Sequence, residues 1–342
     1  MTDVHDTTVD PAERFLHRQT PLQRVHRVLH EYPALSPAVV LILAVIAFGI
    51  LSPRFLLPGN LSLIVQQVAV VGALAIGQTL IIMTAGIDLS VGASMVLTSI
   101  VMAASGANLG LPGGVALLIG LAFGTLAGGL NGLLVTRLRL PPFIATLGTL
   151  NIFVALALLY SGGQSIQGRD MPDLLLWTGT AFDLGPVRIT TGVLIMLGMY
   201  AVATYVLANT AWGRHVYAVG DDREAARLAG IPVSRVLLTT YMAAGFVFAI
   251  TAWILIGRVG AASPNAAADA NLDSITAVVI GGTSLFGGRG LVVGSLLGAL
   301  IVGVFRNGLA LAGVDVLYQT LVVGVLVIVA VATDQWIRRV RA

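Results

Sequence analysis

The chain contains no cysteine, which excludes disulfides and thiolate metal sites and leaves the redox compartment unreadable. Lysine is absent too, so all 19 basic residues are arginine. A phosphate-cradling P-loop requires its lysine, so if ATP drives this protein another subunit binds it. Charge of either sign is scarce, 10% of residues against 57% apolar, with a mean hydropathy of +0.93. That balance describes a polytopic membrane protein and not a soluble domain. The formal charge of +3 comes from arginines scattered among loops, so no nucleic-acid footprint exists. No histidine, cysteine or carboxylate pair is spaced for chemistry, which argues against a membrane-embedded enzyme. Residues 1–37 hold no early apolar core, so no cleavable signal peptide is expected.

What the chain does have is apolar length. At about 20 residues per helix plus loops, 342 residues accommodate roughly ten spans. Ten apolar blocks follow the polar start, at 36–52, 61–84, 88–106, 113–136, 142–160, 190–209, 236–257, 272–286, 290–311 and 315–333. The expected fold is an all-α, polytopic transmembrane bundle over residues 36–334. It is flanked by a cytoplasmic tail, residues 1–35, and a basic tail, residues 335–342. Thr20 as N-cap and Pro21 at the first helical position predict a short amphipathic helix in the N-terminal tail, lying on the membrane surface. With the N-terminus inside, fourteen arginines fall in cytoplasmic segments, against five (Arg54, Arg169, Arg188, Arg258 and Arg306) on or near the outer side. This positive-inside bias assigns both termini and the segment 210–235 to the cytoplasm. The longest outer connection, Ser161 to Arg188, is polar; it is either a landing surface for an extracytoplasmic partner or a plain connector.

A shift of 176 residues aligns Asn131, Gly132, Leu133, Gly148 and Leu150 with Asn307, Gly308, Leu309, Gly324 and Leu326. Two halves of five spans each would then have opposite topology, an inverted repeat. The third block of each half is the unusual one: 88–106 opens with an acid, and 272–286 is short and ends in GGTSLFGG. Interrupted segments in matching positions point to a substrate path.

Asp88, in AGIDLSVG over residues 85–92, reads as the one acid inside the apolar blocks away from their loop-facing ends. A carboxylate at mid-bilayer depth costs ~2.5–3.5 kcal/mol on insertion scales, so it requires hydrogen-bond partners or water. With Gly86 and Gly92 flanking it and Ser90 in the same turn, the backbone could break there and offer free N–H groups. The alternative is that Asp88 caps the third helix at a membrane edge. Gln66, Gln67, Gln78, Thr146, Thr149 and Asn151 are polar positions on otherwise apolar spans. Gln66, Gln67, Thr146 and Asn151, with Asp88 and Ser90, are the candidates for lining a translocation path, or equally for holding helices together. The 40 glycines would let helices approach closely in lipid.

The segment Thr210 to Arg235 gathers seven charged residues between two long apolar blocks. Asp221 followed by Glu224 reads as a capping box that opens a short helix, which Gly230 and Pro232 stop. On it Ala225, Leu228 and Ala229 form a small apolar face, while Arg223 and Arg227 share another side with no acid between them. So small a stripe buries too little to fix the helix alone, so it should pack against a partner.

EAARLAGI, Glu224 to Ile231, resembles the EAA signature of bacterial ATP-binding-cassette import permeases. GIDLSVG and the stretch Ile275 to Leu309 look like the ribose-type, sugar-carrying branch of that family, although Ala85 stands where the family often has a second glycine. The resemblance covers roughly residues 36–334. It implies that Arg223, Glu224, Ala225, Ala226, Arg227 and Gly230 couple the chain to an ATPase. It also implies a second permease copy, two ATPase subunits or one fused ATPase carrying ATP and Mg, a periplasmic sugar-binding protein, and no cofactor on this chain. The expected function is translocation of a pentose, hexose or polyol by alternating access. An ion-coupled secondary transporter using Asp88 is the competing reading, and the scarcity of ionisable residues in the spans argues against it.

Overall fold

The computed structural model describes residues 35–266 and 269–339. The expected helix in the N-terminal tail and residues 340–342 lie outside the described residues. Ten helices coincide with the ten apolar blocks. The first five are α1 (Leu35–Leu51), α2 (Pro58–Met83), α3 (Val91–Ala107), α4 (Gly113–Thr136) and α5 (Pro142–Ser161). An outer connection follows, with β1 (Ile166–Gln167), α6 (Asp173–Leu176), β2 (Ala181–Leu184) and β3 (Val187–Thr190). Then come α7 (Thr191–Asn209), α8 (Ala211–Asp221), α9 (Arg223–Leu228), α10 (Val233–Val259), β4 (Ala261–Ala262), α11 (Ala270–Ile280), α12 (Val292–Leu311) and α13 (Val316–Arg339). Helices α2, α4, α5, α7, α10 and α12 are long and apolar enough to cross a membrane; α1, α3, α11 and the first part of α13 are shorter apolar helices.

Three expectations change. The outer connection is not a plain loop, because β2 and β3 form an antiparallel hairpin and β1 pairs with β4. The third block is helical only from Val91, leaving Asp88 before the helix. The eighth is helical only to Ile280, and its glycine-rich end is a loop.

Helix α2 is the axis of the bundle. Of its most apolar window 78% is buried, against 28% for α5 and for α7, whose remaining apolar surface faces outward. Pro58 and Pro142 open α2 and α5 at the first helical turn, where the missing N–H costs nothing. Among helices in lipid the hydrophobic effect offers no net drive to associate, so close packing through small residues takes over. The most extensive contact, α4 against α10, is built that way. A Cβ on Gly128 would collide with the Tyr241 carbonyl and come within 2.9 Å of the Gly245 Cα.

This contact generates a test. Gly128→Val should lower the thermal midpoint of the purified protein by several degrees, since overpacking a rigid backbone contact costs about 1–3 kcal/mol or more. Gly148, with open space around its Cα, should accept alanine without loss. Equal midpoints for Gly128→Val and the wild type would show that the α4–α10 contact is not rigid.

Candidate functional site

Helix α2 ends at Met83, and the chain does not resume helix until Val91. Ala85 adopts a left-handed φ of 57° in the break. The broken backbone is resealed by a buried polar knot. The Ser90 N–H and hydroxyl both donate to Asp88 Oδ1, at 2.7 and 2.6 Å. Asn131 Nδ2, on α4, donates to Ser90 Oγ at 2.9 Å and reaches Asp88 Oδ2 at 3.4 Å. The Thr149 hydroxyl, on α5, donates to Asn131 Oδ1 at 2.7 Å. Thr146 Oγ1, one turn earlier, accepts the Leu89 N–H at 3.0 Å. Asp88 is only 1% exposed, and Ser90 occupies the N-cap position of α3. Asp88 is therefore not the helix cap; it satisfies the break from inside the bundle.

The knot unites Asp88, Ser90 and Thr146 from the expected set and adds Asn131, whose only sequence signal was its match to Asn307 across the repeat. Gln66, Gln67 and Asn151 are elsewhere. Gln66 Nε2 donates to the Arg188 carbonyl at 3.3 Å, joining α2 to the outer hairpin. Gln67 borders a cavity among α2, α10, α11, α12 and α13. Asn151 is exposed on α5 and returns its amide to the Leu147 carbonyl at 3.0 Å. Asp88 is also not the only embedded acid: Asp273 of α11 is 4% exposed and accepts from Arg306 at 2.7 Å. Hydropathy alone does not reveal it, because Asp273 sits next to the apparent start of its apolar block.

Beneath the break, three segments meet backbone to backbone. The Met83 carbonyl accepts the Gly288 N–H at 3.0 Å. A Cβ on Gly220, at the end of α8, would collide with that same carbonyl, and one on Gly288 would lie 2.7 Å from the Asp221 Cα. Tyr217, on α8, donates its hydroxyl to the Gly290 carbonyl at 3.0 Å. The loop GGTSLFGGRG thus packs against α8 and the end of α2.

Helix α9 hangs from this junction. Its N-cap is Asp222, not Asp221: Asp222 Oδ1 accepts the Glu224 and Ala225 N–H groups at 2.8 and 3.0 Å. Asp221 is the last residue of α8, and Glu224 then falls too early for a capping box. Ala226 is buried, while Ala225, Ala229 and Leu228, at 85% exposure, present the expected apolar face outward. The two arginines part company. Arg227 pairs with Glu224 at 3.1 Å on the surface, a contact of small energetic weight. Arg223 turns inward and donates to the Thr84 carbonyl at 3.0 Å, at the C-cap of α2. Gly230 has a φ of 80°, the left-handed turn that stops α9, and a side chain there would meet open space.

The family model described as the permease component of branched-chain amino acid transport systems matches residues 60–331. The fructose import permease FrcC of Rhizobium meliloti is 49% identical over 98% of this chain and 95% of that protein. The ribose import permease RbsC of Bacillus subtilis is 40% identical over 93% of this chain and 97% of that protein. The chain belongs to the ribose-type permeases of ATP-binding-cassette importers. The D-allose permease AlsC of Escherichia coli is 34% identical over 88% of this chain and 91% of its own length. A ribose-type permease is a multi-pass inner-membrane protein and not an enzyme; ATP hydrolysis belongs to a separate ATPase subunit, and a substrate-binding protein delivers the solute.

The knot predicts a specific asymmetry. Asn131→Leu strips the buried Asp88 Oδ2 of its Asn131 partner and leaves the Thr149 hydroxyl only its longer bond to the Thr146 carbonyl, and should destabilise this permease by about 1–3 kcal/mol. Asp88→Asn keeps the shape and most of the partners and should cost less. Thermal unfolding of both purified variants checks the order, and an Asn131→Leu protein as stable as the wild type contradicts the knot.

Proposed function

We propose that this chain is the membrane subunit of an ATP-driven monosaccharide importer, working by alternating access as one of two identical copies. ATP and Mg reside on the partner ATPase, and the solute is a pentose, hexose or related polyol, as in the names of the fructose, ribose and allose relatives. The observation that carries the mechanism is the Arg223–Thr84 bond. Through it, and through Gly220 against Met83, a displacement of α9 by the ATPase reaches the α2 break. Through Gly288 against Met83 and Asp221 it reaches the loop before α12. Arg223, Glu224, Ala225, Ala226, Arg227 and Gly230 are the coupling element, with Ala225, Leu228 and Ala229 as the face offered to the partner. In this reading the ten apolar helices are ten spans in two inverted halves, with both termini in the cytoplasm.

The ion-coupled alternative draws no support from the site. Asp88 has protein partners for both oxygens and is closed off from solvent. A coupling carboxylate has to exchange its ion, which requires access and a relay.

Two measurements test the proposal. Arg223→Ala should leave the permease assembled with an ATPase that still hydrolyses ATP, yet lower sugar moved per ATP roughly tenfold, the weight of one lost charged hydrogen bond. An unchanged ratio would sink the transmission route. For topology, single cysteines can be placed freely in a chain that has none. One at Asp173 should react with an impermeant reagent from outside, and one at Asp222 should react only once the membrane is opened. The reverse pattern overturns the orientation.

A further inference from the structure

The polar machinery sealing the α2 break lies on one side of the bundle, and a separate cavity lies elsewhere. A cavity of about 710 Å³ runs between α2, α10, α11, α12 and α13, floored by the start of α11. That falls in the range of about 300–1,000 Å³ typical of small-ligand sites. Its walls are apolar at Val68 and Val71 of α2 and at Ala299 and Val302 of α12, and polar at Gln67 of α2 and where α10, α11 and α12 converge.

The charges in it balance. Arg306 binds Asp273 at 2.7 Å and Asp269 at 3.6 Å, and Arg258 lines the same space. Two arginines against two aspartates sum to zero, so the site carries no net charge to favour an ion of either sign. A neutral ligand rich in hydroxyls matches it, because each hydroxyl can donate to a carboxylate and accept from a guanidinium. Unspent polar groups surround the ion pairs. Among the described residues Gln67, Arg258 and Asn265 make no side-chain hydrogen bond or ion pair, although all three line the cavity. Asn307, by contrast, is committed to a reciprocal amide pair with Asn60 at 2.9 Å and belongs to the scaffold.

The floor connects this cavity to the coupling route. Asp269, Ala270 and Asp273 border it, and Asn271 between them accepts the Gly92 N–H at 2.5 Å. Gly92 lies two residues beyond Ser90 of the knot. The starts of α3 and α11 are thus bonded to each other, and that bond stands between the cavity and the Asp88 break.

We propose that this cavity is a sugar-holding subsite of the permease, with Gln67, Arg258, Asn265, Asp269, Asp273 and Arg306 as its hydroxyl-recognising groups. The inference rests on the importer reading and adds to it that part of the solute selection resides in the membrane subunit itself.

The test uses the permease–ATPase complex in detergent, without binding protein, carrying Gln67→Cys or Asn265→Cys. D-fructose, D-ribose and D-allose are the probes, with L-leucine as the control because the family model is described for branched-chain amino acids. At least one sugar should slow maleimide labelling several-fold at both positions and leave a cysteine at Asp173, in the outer connection, unaffected. ATP-driven uptake of the same sugars by the wild-type system with its binding protein is measured in parallel. Uptake of a sugar that protects neither position overturns the subsite and leaves the importer reading standing. Uptake of no monosaccharide overturns the importer reading, and protection by leucine alone overturns the sugar assignment. If a cysteine variant does not assemble, direct binding of radiolabelled sugar to the wild-type complex replaces it. Asp273→Asn should then weaken that binding roughly tenfold, the loss of one charged hydrogen bond, and equal binding overturns the proposal.

Discussion

A chain that leaves its helix in the packed interior of a bundle must find protein partners for the N–H and C=O groups it frees, because no water is there to take them. This permease breaks after Met83, and the rest of its architecture follows from how that break is sealed. One side is closed by side chains: Asp88 and Ser90 bind each other, and Asn131 and Thr149 bring α4 and α5 into the same network. The other side is closed by backbone, with the Met83 carbonyl taken by Gly288 and the Thr84 carbonyl by Arg223. A carboxylate buried at 1% exposure is tolerable only because it serves this purpose.

The same requirement gives the molecule a mechanical route. Carbonyls at the end of α2 cannot be left unpaired, so whatever binds them moves with them. Those partners are the root of α9 and the loop that precedes α12, with Gly220 of α8 packed against the Met83 carbonyl. Glycine at positions 220 and 288 allows backbone to touch backbone there, leaving no flexible side chain to absorb a displacement. Surface electrostatics contribute little by comparison, since the Arg227–Glu224 pair stands in solvent.

Much of the fold is legible in the sequence because hydropathy is a local signal. Each of the ten apolar blocks is a helix, and the outward apolar face of α9 follows from the spacing of Ala225, Leu228 and Ala229. The errors fall at ends and pairings. The cap of α9 lies one residue later than its motif suggests, because α8 continues through Asp221. Arg223 and Arg227 look equivalent on a helical wheel, yet one reaches a surface glutamate and the other a carbonyl 139 residues away in the chain. Gln66, Gln67 and Asn151 share a polarity that says nothing of which way each amide turns.

By itself the sequence determined that this chain lives in a membrane, that it has no lysine to build a P-loop, and where its helices and charged loop fall. Composition and periodicity decide these matters, and both are properties of neighbouring residues. Only the tertiary structure decided that Asp88 is held by Asn131, that the glycine-rich loop belongs to the junction under α2, and that Asp273 and Arg306 share a cavity with Gln67. Those pairings join residues tens to hundreds of positions apart. Their partners are chosen by how whole helices pack, through glycine contacts whose meaning appears only when the facing backbone is in place.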